Sequence, residues 1–181
     1  MTSMNRLLPY LVLAVFSLVL ASCSRENRDR LFVLVYPNLQ FEFEAGLNPN
    51  FPQVKAFTPL PTNFLDLAQQ NGVDTSLVAG VFPLEARLTA LDVNNYSFIN
   101  SMSVLICPAD EGECNLQSDE VFCIEPQLQP FEGEIRLQPG LRNALRDLRG
   151  ESFRLELVFF LNQPSPFSVE SLFEMRFEAV R

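Results

Sequence analysis

The chain has 181 residues, a formal net charge of −9 at pH 7, and neither histidine nor tryptophan. Lacking histidine, it is excluded from Ser-His-Asp and Cys-His catalysis and from His-ligated zinc, copper and non-haem iron chemistry. The acid excess gives no electrostatic reason to bind nucleic acid, and no Walker A loop, dinucleotide glycine pattern or Gly-x-Ser-x-Gly elbow is present, so no cofactor is implied.

Met1 to Arg6 carry a single basic side chain, and an apolar run from Leu7 to Leu20 follows, broken only by Pro9 and Ser17. This is the n-region and h-region pattern of an export signal, shorter than the roughly 20 apolar residues of a membrane-spanning helix. The run closes on Leu20-Ala21-Ser22-Cys23. These four residues resemble the lipobox of bacterial lipoproteins with type II signal peptides, and all four positions fit.

The resemblance covers residues 1–23 only. It implies cleavage between Ser22 and Cys23, diacylglyceryl transfer to the Cys23 thiol and acylation of the new amine. Each buried methylene contributes about 0.8 kcal/mol, so two or three acyl chains hold a protein stably where one does not. Ser24 is similar to the outer-membrane address of enterobacterial lipoproteins. A bacterial outer-membrane position with the domain facing the periplasm is therefore expected, with cell-surface display as the second choice. Residues 1–22 are read as the cleaved signal peptide, and 23–30 as a lipid-anchored tether of alternating charge through Arg25, Glu26, Arg28, Asp29 and Arg30. Residues 31–181 are read as one domain, a length that can bury its own core.

Beyond the tether the hydrophobic pattern has period two. A short strand is predicted over 31–36, then another where Leu39, Phe41 and Phe43 alternate with Gln40, Glu42 and Glu44. The stretch 48–61 holds four prolines and is predicted to be an extended loop. Alternation resumes at Leu84, Ala86, Leu88 and Ala90, and again along Tyr96, Phe98, Met102, Val104 and Ile106. Short strands are expected at 121–124 and 133–137. Two clean ones follow, through Phe153, Leu155, Leu157 and Phe159, and through Phe173, Met175, Phe177 and Ala179.

About eight half-buried strands favour antiparallel pairing, and one flat sheet cannot cover its own apolar face. The predicted fold is an all-β, antiparallel two-sheet β-sandwich, immunoglobulin-like in architecture, with a phenylalanine core. Two short helices are expected in connections. One is capped by Asn63, buries Phe64, Leu67 and Ala68, and stops at Gly72. The other spans 139–149, with Leu141, Leu145 and Leu148 inward and Gly150 as its stop.

Three features of the mature chain invite a functional reading. Arg142, Arg146 and Arg149 fall on one exposed face of the second helix, a stripe that could dock phosphate-bearing lipid or an acidic partner, although a solvated face near a helix C-terminus is the favoured reading. The acidic loop 108–120 holds Asp110, Glu111, Glu113, Asn115, Asp119 and Glu120, but its spacing matches no EF-hand, so no metal is assigned. Setting Cys23 aside for lipid leaves Cys107, Cys114 and Cys123. Cys107 and Cys114 bracket the acidic loop and are the favoured disulfide, Cys107 with Cys123 being the alternative. No catalytic residue is assigned. The expected role is a lipid-anchored, non-enzymatic binding or scaffolding module with a protein partner in the cell envelope, and the alternative is a surface adhesin or ligand-capture lipoprotein.

Overall fold

The computed structural model describes residues 29–92, 95–126 and 131–181; Cys23, the expected signal peptide and most of the expected tether lie outside them. The elements run β1 (Arg30–Phe43), β2 (Gln53–Pro61), α1 (Phe64–Gln70), β3 (Gly80–Ala90), β4 (Ile99–Pro108), β5 (Glu120–Ile124), β6 (Glu134–Pro139), α2 (Leu145–Leu148), β7 (Ser152–Leu161) and β8 (Val169–Val180).

The all-β antiparallel expectation holds. The strands form one eight-stranded sheet in the order β1-β8-β3-β6-β5-β4-β7-β2, curled into a half-barrel. Strands β4, β5 and β6 are consecutive neighbours, and β3 lies beside β6, which is a Greek key. The short β6 makes the corner. Its residues Glu134 to Leu137 pair with β3, whereas Gln138 and Pro139 pair with β5. Pairing is thus continuous through β6.

The predicted inward positions of the last two strands are buried. Phe153, Leu155, Leu157 and Phe159 of β7 and Phe173, Met175, Phe177 and Ala179 of β8 all point into the concave side and are buried. Rings from the two halves of the sheet meet there: Tyr36 with Phe153 (5.1 Å between centroids), Phe43 with Phe159 (5.0 Å) and Phe122 with Phe177 (5.5 Å), all near edge-to-face. Such pairs contribute about 0.5–1.5 kcal/mol each beyond the area they bury.

Three local expectations are corrected. The segments 31–36 and 39–43 are one strand, β1. Its inward positions shift from Phe32, Leu34 and Tyr36 to Phe41 and Phe43 because the register slips between Tyr36 and Leu39. Asn38 takes φ 63 there, as a bulge requires. The proline-rich stretch expected to be a loop contains β2, which pairs with β7 from Gln53 to Pro61. Proline is tolerated because β2 is an edge strand.

The helix expected over 139–149 is a single turn, α2, and Leu141 is 93% exposed rather than inward. Its first half is committed to lateral bonds. Gly140 N–H donates to the Val121 carbonyl at 2.8 Å, so close that a Cβ at Gly140 would meet that oxygen at 3.1 Å. Ala144 N–H donates to the Val81 carbonyl, and Asn143 Oδ1 accepts from Val81 and Leu145 N–H. By contrast α1 stands where expected, buries Phe64 and Ala68, and ends at Gly72 with φ 64. Gly72 N–H reaches the Gln69 carbonyl and Val73 N–H that of Ala68, a Schellman stop. Asn63 offers no side-chain cap; its carbonyl accepts the first helical bond.

Candidate binding site

The acidic loop is stapled as the favoured pairing expects. Cys107 and Cys114 are disulfide-bonded with Cα atoms 5.6 Å apart, and Cys123 is free. Asp119 organises the loop from within: its carboxylate accepts from Asn115 N–H (2.8 Å) and Ser118 Oγ (3.1 Å). Asn115 Oδ1 in turn accepts from Gln117 and Ser118 N–H. Cys107, Cys114 and Asp119 gather within 4.8 Å, but the two sulfurs are spent on each other.

The arginines do not form a stripe. Arg142 lies before α2 and turns inward, its side chain 17% exposed. One nitrogen donates to the carbonyls of Ile106 and Asp119, the other to Asp119 (3.4 Å) and Asp147 (2.5 Å). Arg146 is outside but ion-paired to the same Asp147 at 3.0 Å, which holds its guanidinium pKa above the usual value. Of these three arginines Arg149 alone stands exposed with no ion pair to a described residue. What positive charge the stretch carries is largely compensated in place.

The convex face of the β1-β8-β3-β6 half carries a ladder of ion pairs. Arg30 meets Glu178 (2.8 Å), Arg176 meets Glu85 (3.6 Å), Arg87 meets Glu174 (2.6 Å) and Arg136 meets Glu134 (2.5 Å). Each contributes little stability at the surface, but together they neutralise the face. The ladder stops short of one end, where Glu42 of β1 lies directly opposite Glu170 of β8. Among the described residues no cation is ion-paired to either, or to neighbouring Glu44.

That acidic end borders the seam between β1 and β2, the two ends of the sheet, which do not pair with each other. One half of the seam is closed. Tyr36 donates its phenol to the Thr62 carbonyl at 2.8 Å, and Thr62 is tied through Oγ1 to the Gly150 carbonyl and through N–H to that of Glu151. Phe64 of α1 packs on Phe32 beside it. Midway, the rings of Phe41 and Phe57 meet at 6.1 Å. The other half is open, with a cavity of about 220 Å³ between residues 41–44 and 53–55, floored by Phe159. Lys55, the only lysine in the sequence, holds its ammonium 5.9 Å from the centre of the Phe41 ring. Val54, which lines the cavity, is 55% exposed, and Phe51, just before β2, is 65% exposed.

Nothing in the sequence pattern pointed to this seam, because β2 read as a loop. The unalternated apolar pair Phe51 and Val54 among prolines was the one available signal. Among the described residues every buried side-chain nitrogen or oxygen has a hydrogen-bond partner, and no helix is long and apolar enough to cross a membrane.

No protein-family model matches the chain, and no curated protein sequence matches it.

Proposed function

We propose that this protein is a lipid-anchored envelope lipoprotein acting as a non-enzymatic binding or scaffolding module. Cys23 carries the anchor, the outer membrane is the address, and a protein partner meets the β domain on the periplasmic side. The observation that carries the reading is Leu20-Ala21-Ser22-Cys23, placed directly after a short apolar run. The lack of histidine and the filled, fully satisfied core support a role in binding rather than catalysis. In architecture we take the curled sheet to work as an immunoglobulin-like sandwich bent at β6, with its two halves as the layers. The ring contacts across the concave side support that view.

The test is a Cys23→Ala variant of the full chain, expressed in bacteria and fractionated. Loss of the acyl mass and release from the membrane fraction are expected. A variant that keeps both overturns the anchor. Protease added to intact cells should leave the domain whole, and digestion would move it to the cell surface.

A further inference from the structure

We propose that the open half of the β1–β2 seam is a strand-addition site. It takes an extended protein segment of about five residues in which lysine or arginine alternates with apolar residues, and the segment pairs with the free edge of β1. This rests on the binding-module reading and specifies the chemistry of its partner.

An edge strand presents unpaired backbone N–H and C=O groups, and proteins ordinarily blunt such edges with prolines and bulges. Here those devices are gathered at the closed half of the seam: Pro37 and the Asn38 bulge on β1, Pro59 and Pro61 on β2. Residues 39–43 of β1 and 53–57 of β2 contain none. An uninterrupted run of that length spans roughly 16 Å at 3.3 Å per residue. A second copy of this chain, pairing edge to edge along the whole of β1, would run into the Pro37–Asn38 irregularity. A short segment would not.

The side chains along that run fix the alternation of the occupant. Phe41 and Phe43 face the concave side, whereas Glu42 faces out. A strand laid beside β1 sets its residues opposite these in turn, and direct cross-strand neighbours are the pairs that decide sheet pairing. Residues beside Phe41 and Phe43 enter the cavity over Phe159 and are apolar. Residues on the other side meet Glu42 and Glu44, which with Glu170 are the acids the ion-pair ladder leaves uncompensated. Those residues are cations. The β2 edge is the poorer choice because Lys55 stands there and repels a basic segment.

The experiment uses the full chain in detergent micelles, with micelles alone as the blank. A fluorescein-labelled Val-Lys-Val-Lys-Val-Lys-Val peptide is titrated by anisotropy against its glutamate counterpart and against a version N-methylated at alternate residues. The basic peptide should bind at least tenfold more tightly than the acidic one, and N-methylation on the side facing β1 should abolish binding. Glu42→Lys with Glu44→Lys should weaken the basic peptide at least tenfold and favour the acidic one, with the circular dichroism unchanged. Equal binding of the two peptides, or indifference to N-methylation or to charge reversal, overturns the inference. In intact cells a photocrosslinking amino acid at position 54 should yield a protein adduct. An adduct from position 136 but none from 54 overturns the seam and leaves the binding module standing; none from either overturns both.

Discussion

Arg142 and Asp147 are five residues apart and meet at 2.5 Å under the surface, the carboxylate fully shielded and the guanidinium nearly so. The same arginine spans to Asp119, so one side chain pins the disulfide-stapled loop to the turn at α2. Removing Arg142 leaves buried Asp119 without a cation and Asp147 with only the exposed Arg146, and breaking a buried pair from one side costs about 3 kcal/mol or more. Arg142→Ala should therefore lower unfolding free energy by about 3 kcal/mol in urea. Arg142→Lys should recover only part, since an ammonium cannot fork between two acceptors. Arg146→Ala, at a side chain 69% exposed, should cost less than about 1 kcal/mol. Equal losses from Arg142→Ala and Arg146→Ala would contradict the assignment of Arg142 as the strut.

Tyr36 closes one end of the seam with its bond to the Thr62 carbonyl, and burial pushes its phenol pKa well above the ordinary value. The protonated phenol is the form the fold favours. Its contribution is complete below the ordinary phenol pKa of about 10 and declines as pH rises beyond it. Tyr36→Phe should cost about 1 kcal/mol at pH 7, from the lost hydrogen bond and the stranded carbonyl. The gap between wild type and variant should shrink by pH 11. Denaturant titrations at both pH values measure it, and an identical gap at pH 7 and 11 would contradict the argument.

The disulfide between Cys107 and Cys114 closes a short loop, with a sequence separation of 7. Constraint of the unfolded chain by so small a ring contributes about 2 kcal/mol. Cys107→Ser with Cys114→Ser should lower the thermal midpoint accordingly while leaving the far-ultraviolet spectrum of the sheet intact. The effect stays moderate because Asp119 and Asn115 hold the loop by their own bonds. An unchanged midpoint would show the staple to be dispensable.

How far this fold can be read from its residues depends on where each strand sits. In β8 burial alternates nearly throughout, so alternation reports the inward face directly, whereas β7 also buries Glu156 and Val158 on its other face. About eight strands were expected and eight are present, but two errors cancel in that number. The phase slip at Pro37–Asn38 split β1 in two, and the prolines that an edge strand tolerates concealed β2. Pattern reading carries no information about which strand is an edge, because that follows from pairings such as Arg30 with Val180 across the chain. The seam was invisible for this reason. Arg142 was misplaced for a related one: its partner Asp119 is remote in sequence, and the lateral bonds of Gly140 and Ala144 forestall the helix that periodicity suggests. The disulfide was legible because loop and staple are local.

Cys123, the thiol left over, sits on β5 opposite Ser103, and Ser103 Oγ donates to Glu120 at 2.6 Å. Burial pushes the Cys123 thiol pKa up, and the carboxylate of Glu120 adds to the shift, with a smaller push from Glu125. Only the thiolate is nucleophilic, so a raised pKa means a smaller reactive fraction at any pH near neutral. In the folded full chain, iodoacetamide should label Cys123 roughly tenfold more slowly at pH 8 than in the urea-unfolded chain. The rate should keep climbing with pH beyond the range where an ordinary thiol levels off. Glu120→Gln removes the charge but not the burial, so it should accelerate labelling only a few-fold. The readout is mass spectrometry of the peptide containing Cys123, which separates it from any reaction at Cys23. Labelling as fast in the folded as in the unfolded chain would mean that neither burial nor Glu120 governs this thiol.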